Sequence, residues 1–359
     1  MYNMTELQLA KISSLPVLAV CGFSGAGKTT LIEAVLPHLI QRGWRVAVIK
    51  HDAHGVQLDR PGKDSDRLFR AGADVVLHGP DEFLLRGCKT SNFDLNQILN
   101  ECRYYYDLIL IEGHKDTPLT KVWLQSVGEV GAPADVDHVI ASLARDEDRP
   151  GRFLAMVDEW LPAQWQKMPV YACILIGGNS QRMGQPKHLL SATEGRSWIE
   201  QQMSLLQPMV ERVVVAGRGD LPEKLASLDR LSDVPETQGP LAGMLAAMRW
   251  RPDVSWLMLA CDMPMVSQEA VTWLLAQRCP GQHAVQPRLH NQAPLEPLLA
   301  CYEPPARVSL EAMLRDSVRS PSRLSMRAPV LSPVVPAELT ASWRNINTQE
   351  DVDTWLAYQ

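Results

Sequence analysis

At 359 residues, 46% of them apolar, the chain has material for two or three domains, each with its own core. A net charge of −6 without long Lys/Arg runs weighs against nucleic acid as a partner, and no run approaches the ~18 uninterrupted apolar residues of a membrane span. The polar, broken start has no signal-peptide pattern, and the seven cysteines form no C-x-x-C pair, which points to a soluble, cytoplasmic protein with reduced thiols.

An apolar run at Leu15–Cys21 predicts a buried strand, and Gly22-Phe-Ser-Gly-Ala-Gly-Lys28-Thr29 follows it directly in the pattern G-x-x-x-x-G-K-[ST]. In such a P-loop, consecutive backbone N–H groups curl around phosphate oxygens at a helix N-terminus. Gly22, Gly25 and Gly27 allow the curl, Lys28 reaches the outer phosphates, and the Thr29 hydroxyl suits Mg²⁺. Ser24, Ala26 and Thr30 complete the expected contact set.

Helical spacing of Leu31, Ile32, Val35, Leu36 and Leu39 predicts a helix from Thr29 to about Gln41, ended by Gly43. Arg45–Ile49 reads as a strand, Asp64–Ala71 as a short helix, Val75–His78 as a strand and Phe93–Tyr105 as a helix. Leu108–Ile111, Val122–Leu124 and Val139–Ser142 read as further strands, and Phe153–Leu161 as a closing helix. Strands separated by helices imply a parallel sheet covered on both faces.

Two polar segments lie where that sheet would bind ligands. His51, Asp52 and His54 fit either a metal site or a solvated loop, and Asp64 or Ser65 fits a helix N-cap. The strand Asp107-Leu-Ile-Leu-Ile-Glu112 ends in an acid, as a Walker-B strand does, with Glu112 placed to act on Mg²⁺ or its water.

A linker is expected at 162–169, dividing the chain into residues 1–161 and 170–359. The α/β pattern then restarts: strand Val170–Ile176, helix Trp198–Leu206, strand Arg212–Ala216, helix Leu241–Trp250, strand Trp256–Ala260 and helix Gln268–Arg278. The turn Ile176-Gly-Gly-Asn-Ser-Gln-Arg182-Met-Gly184-Gln-Pro-Lys187 is Gly-rich but is not a P-loop.

Nucleotidyl transfer concentrates negative charge on both reactants and on the pyrophosphate that leaves. It calls for a backbone cradle, fixed cations and a carboxylate-held Mg²⁺. Gly177 and Gly178 supply the first, Arg182 and Lys187 the second, and Asp262, at the end of Trp256–Ala260, the third. Gly239-Pro-Leu-Ala-Gly243 opens a helix between them, a setting for substrate at a helix N-terminus.

Residues 15–125 resemble the MobB family of molybdopterin-guanine dinucleotide biosynthesis adaptors. The likeness rests on Gly22–Thr30, Ile49-Lys-His-Asp-Ala-His-Gly55, Pro61-Gly-Lys-Asp-Ser65, Ala71-Gly-Ala-Asp74 and Ile111-Glu-Gly-His-Lys115, in that order. It implies a GTP-binding accessory domain with weak hydrolysis, often dimeric, that assists a guanylyltransferase.

Residues 170–355 resemble the MobA family of molybdenum cofactor guanylyltransferases, with a Rossmann-like nucleotidyltransferase fold. The likeness rests on Leu175-Ile-Gly-Gly178, Arg182-Met-Gly184, Lys187, Asp233, Gly239–Gly243, Cys261-Asp262-Met-Pro264 and Asn345-Ile-Asn347-Thr348 with Asp351. It implies that Leu175, Ile176, Gly177, Gly178, Lys187 and Asp233 contact GTP and that Asp262 holds Mg²⁺. Gly239, Pro240, Leu241, Gly243, Asn345 and Asn347 are then expected on the molybdopterin side. From the residues alone, Asn345–Thr348 equally reads as a helix-capping stretch.

Two positions depart from the family pattern. Ile176 replaces an Ala beside the cradle, and Ala216 stands where relatives often carry Asn. The expected activity is GMP transfer from Mg-GTP to molybdopterin or its molybdenum-loaded form, with molybdoenzyme apoproteins or their chaperones as further partners and a homodimer through the first half. The Leu-Ile-Gly-Gly start favours GTP over CTP, and fusion to the MobB-like half disfavours a sugar-phosphate acceptor. A GTP-dependent carrier with an inactive second half is the rival of another class.

Overall fold

The computed structural model describes residues 16–50, 59–87, 94–177, 186–191 and 195–357. In the first half the strands are β1 (Val17–Cys21), β2 (Val46–Lys50), β3 (Val75–His78), β4 (Phe83–Arg86), β5 (Leu108–Glu112), β6 (Lys121–Leu124) and β7 (Val139–Leu143). The helices are α1 (Lys28–Gln41), α2 (Asp64–Arg70), α3 (Leu95–Cys102) and α4 (Arg149–Gln166). Five strands form a parallel sheet in the order β2-β5-β1-β6-β7.

The central strands β1 and β5 are almost wholly apolar and buried, as strands covered on both faces must be. On one face Leu31, Val35 and Leu39 of α1 pack with Phe153, Val157 and Leu161 of α4. On the other, Leu99 of α3 packs with Ile109, Ile111 and Trp123. Each such side chain contributes about 1.5–3 kcal/mol by leaving water.

Three expectations are corrected here. β3 forms at the predicted residues but lies outside the main sheet, paired antiparallel with β4. Val76, Leu77, Phe83 and Leu85 of that hairpin are exposed, so it is not a core strand. Helix α4 runs through Pro162 to Gln166, five residues into the segment read as a linker. Burial of Leu161 and Trp165 outweighs the ~3 kcal/mol that an interior proline costs. Neither Asp64 nor Ser65 caps α2: Lys63 holds the N-cap position, and Ser65 Oγ donates to Asp59 instead.

In the second half the strands are β8 (Val170–Leu175), β9 (Arg212–Ala216), β10 (Arg230–Leu231), β11 (Ser255–Ala260), β12 (Ala284–Val285), β13 (Ala300–Tyr302) and β14 (Val330–Leu331). The helices are α5 (Trp198–Leu206), α6 (Pro240–Trp250), α7 (Gln268–Ala276), α8 (Ala306–Arg315) and α9 (Gln349–Ala357). The sheet order is β10-β9-β8-β11-β13-β12-β14, with only β13 running against the rest.

The chain leaves β8 for β9 on one side and later returns to β11 on the other. The crevice beyond β8 and β11 is therefore the topological switch point, where open α/β sheets bind ligands. Sequence patterning missed β12–β14 and α8. The three strands are two or three residues long, too short for an alternation signal.

Candidate active site

The P-loop sits where the sheet of the first half predicts. Gly22 follows the last residue of β1, and α1 begins at Lys28. Gly22 has φ of 150°, and a Cβ there would lie 2.7 Å from the Leu124 carbonyl oxygen, so only glycine lets the loop leave the strand. Lys28 Nζ donates to the carbonyls of Gly22 (3.0 Å) and Phe23 (2.9 Å), folded back onto the loop.

Thr29 Oγ1 donates to Glu112 Oε1 at 2.8 Å, which brings the hydroxyl and the strand-end acid into one place. Lys50 Nζ lies 3.6 Å from the same carboxylate. Ser24 and Thr30 are exposed at the loop, whereas Ala26 is buried behind it. His51, Asp52 and His54 lie outside the described residues.

Sequence reasoning missed Arg149, the first residue of α4. Its guanidinium donates to the carbonyls of Ala26 (2.7 Å), Ala144 (2.7 Å), Leu143 (3.3 Å) and Gln125. It braces the P-loop from behind and ties it to the ends of β6 and β7. No local motif could have found it, because Ala26 is 123 residues away in sequence.

In the second half, Lys187 and Asp262 come from different elements and meet at the switch point. Lys187 Nζ lies 3.0 Å from Asp262 Oδ2 and donates to Asn347 Oδ1 at 2.8 Å. Ile346 N donates to the Asp262 carbonyl at 2.9 Å, which anchors the Asn345–Thr348 segment beside the strand end. Asp351 accepts from Thr348 Oγ1 and from the backbone N–H groups of Asn347 and Thr348. Those bonds, the Asn347 N–H first, hold its carboxyl below the usual carboxylate range. The segment opens α9, as the helix-capping reading has it, and it also places Asn347 against Lys187.

Gly177 is exposed with φ of 108° and opens the cradle. Gly178 and Arg182 lie outside the described residues. Leu175 and Ile176 are buried, and their backbone groups serve the sheet: Ile176 N donates to Ala216 O, and Leu175 O accepts from Cys261 N. The Ile176 side chain packs in the core with Ile174 and Val215. Ala216 is likewise buried, its Cβ facing Gly243.

Gly243 explains itself by space. A Cβ there would lie 2.7 Å from Leu175 Cδ2, 3.2 Å from Ala216 Cβ and 3.4 Å from Asp233 Oδ1. This turn of the helix therefore packs closely against Leu175, Ala216 and Asp233. Leu241 is fully buried and faces the core, whereas Gly239 and Pro240 are exposed at the helix N-terminus. Burial pushes the Asp233 carboxyl up, with Arg218 opposing the shift.

Glu296 lies in the chain between β12 and β13, and burial raises its carboxyl. His188, next to Lys187, is buried and bonded through Nε2 to the Asp220 carbonyl at 2.7 Å.

Mg²⁺ binds through one or two carboxylates, with substrate phosphates and waters completing its shell. No group of three His, Cys, Asp or Glu residues among the described residues could hold a metal by itself. Single acids, Asp262 at one site and Glu112 with Thr29 at the other, are the donor sets that fit a metal arriving with a nucleotide.

Comparison with known proteins finds a separate family in each half. Residues 17–144 match the family described as Molybdopterin guanine dinucleotide synthesis protein B, and residues 172–328 match the MobA-like NTP transferase domain. The chain is 36% identical over 134 residues to a molybdopterin-guanine dinucleotide biosynthesis adapter protein of Haemophilus influenzae, covering 37% of this chain and 75% of the relative. It is 32% identical over 185 residues to a probable molybdenum cofactor guanylyltransferase of Bacillus anthracis, covering 50% of this chain and 91% of the relative. Among solved structures it is similar to molybdopterin-guanine dinucleotide biosynthesis protein A of Archaeoglobus fulgidus, with 26% identity, a TM-score of 0.43, and coverage of 53% of this chain and 100% of that one.

Proposed function

The chain belongs to the MobB adapter family through its first half and to the MobA-like nucleotidyltransferase family through its second, and from that premise we propose that it makes a guanine dinucleotide form of the molybdenum cofactor. The observation that carries this reading is the meeting of Lys187, Asp262 and Asn347 at the switch point beyond β8 and β11.

In the reaction, an oxygen of the acceptor's terminal phosphate attacks the α-phosphorus of GTP. The bond to the β-phosphate breaks, and pyrophosphate leaves. The nucleophile is already an anion, so no strong protein base is needed, and positioning with charge complementarity does the work. Lys187 turns from Asp262 to the phosphates, and Asp262 is freed to hold Mg²⁺, which neutralises the triphosphate when bound. In this reading Asp233, close to Gly243, takes guanine N–H donors. Gly239 and Pro240, Asn345 and Asn347 border the acceptor side, and Arg182 joins the phosphate contacts.

The first domain binds a second GTP in the loop Gly22–Thr30, with Thr29 and Glu112 on its Mg²⁺. A homodimer through this domain is supported by the exposed apolar hairpin β3–β4, where Phe83 is 76% exposed. No helix among the described residues is long and apolar enough to cross a membrane, which is compatible with work in the cytoplasm on molybdoenzyme apoproteins or their chaperones.

The test is to incubate the protein with Mg²⁺, molybdopterin and either GTP or CTP, and to identify the product by mass. Guanine dinucleotide from GTP alone, lost in Asp262→Ala, is expected. Product from CTP alone would move the chain to cytidylyl transfer, and GTP binding without product would leave a carrier.

A further inference from the structure

Both nucleotide sites lie at the carboxyl ends of their sheets. Gly22 follows β1 and Glu112 ends β5, while Gly177 follows β8 and Asp262 follows β11. The two domains touch elsewhere. Arg103, before β5, donates to the Asp253 carbonyl and lies 3.8 Å from its carboxylate, just before β11. Trp44, before β2, packs on Gly281, before β12: a Cβ on Gly281 would lie 3.0 Å from Trp44 Cδ1. Gln166 Nε2, at the end of α4, donates to the Arg278 carbonyl at 2.6 Å, beyond the end of α7. Every one of these contacts is at the amino ends of the parallel strands.

The two sheets therefore meet foot to foot, and their binding edges point away from each other. At ~3.3 Å per residue, the five residues of β1 and six of β8 laid end to end span about 36 Å, before the contact layer is added. The connection does not permit a swing. Only Lys167, Met168 and Pro169 separate α4 from β8, and Met168 is buried. Pro169 O is engaged by Ser255 N at 3.0 Å. The Arg103 side chain is 7% exposed, so separating the domains would uncover a buried guanidinium and its acceptors.

We infer that the domain contact is a fixed spacer, and that within one chain the P-loop site neither receives product from the transferase site nor supplies it. Whatever is exchanged between the two sites passes between molecules. This rests on the reading that both edges bind nucleotide, and the experiment separates the two claims.

Ketone-bearing amino acids are incorporated at Val127, 82% exposed beyond β6, and at Arg344, exposed beside Asn345. This avoids the native thiols. Spin labels attached there are read by pulsed dipolar spectroscopy in the full chain, diluted with unlabelled chain, with and without Mg-GTP. A single distribution beyond about 35 Å in both states is expected from the strand lengths. A shorter population in either state would overturn the spacer. GTP binding is measured separately by equilibrium dialysis, so a chain whose ends stay apart but which binds no nucleotide overturns only the functional reading.

Discussion

Lys187 and Asp262 pair with each other at 3.0 Å, so each is positioned by the other at the strand end. Removing the acid should leave Lys187 on Asn347 and the fold intact. Asp262→Ala is expected to lower the rate of dinucleotide formation by about 10²–10³ or more, the scale of losing one charge-stabilising group at a transferring phosphoryl. An unchanged melting temperature beside that loss would separate chemistry from folding. Lys187→Ala should raise the KM for GTP, and a GTP affinity equal to the parent's would exclude its phosphate role. Asp233 gives a pH test. Burial raises its folded pKa above the unfolded value, so folding is favoured below the unfolded pKa and loses that contribution as pH rises through the folded one. Ionising the carboxyl in the folded protein is thus a cost to stability. Asp233→Asn should raise the melting temperature at pH 7 and weaken GTP binding in the second domain. If it weakened both, Asp233 would be a structural acid.

Arg149 connects elements that sequence leaves apart. Its four carbonyl acceptors join the P-loop to the ends of β6 and β7, and Arg149→Leu would strand them half-buried. A loss of about 1–3 kcal/mol is expected in chemical denaturation, together with weaker GTP binding at the P-loop. A stability loss with P-loop affinity unchanged would reduce Arg149 to a structural brace. Such cross-chain ties mark the limit of what was legible. The P-loop, the Walker-B-like strand and the strand ending at Asp262 were readable, because each is a long apolar run closed by a residue with a chemical signature. The short strands β12–β14 carry no period, and their place depends on pairing with β13 and with each other. Pro162 misled because helix-breaking is a local cost, whereas the burial of Trp165 that overrides it is tertiary. Leu241, which the resemblance put on the molybdopterin side, has its side chain in the core beneath the turn, a tertiary contact that the motif does not reveal.

At the scale of the whole molecule, the foot-to-foot contact decides how the two domains unfold. Each domain has its own core: α1 and α4 over one sheet, and α5–α8 around the other. Neither core crosses the boundary, so coupling rests on the polar contact around Arg103, Asp253, Gln166 and Arg278 and on the packing of Trp44 against Gly281. Arg103 is the most buried part of it on the first domain's side, and burial disfavours its charged form, with Asp253 opposing that effect. Truncation in Arg103→Ala removes both its donor to the Asp253 carbonyl and its charge partner. Asp253 keeps Arg251, which grips it at 2.8 and 2.9 Å, so the second domain should lose little on its own. The expected result is a calorimetric trace that splits: the first domain melts earlier by the few degrees that about 1–3 kcal/mol brings to a domain of this size, and the second melts near the parent temperature. Mg-GTP should then raise each transition independently, because each domain keeps its own site. A trace that stays single in Arg103→Ala, shifted as a whole, would mean that the domains are coupled by more than this contact, and that the spacer is held by their packing rather than by its charged centre.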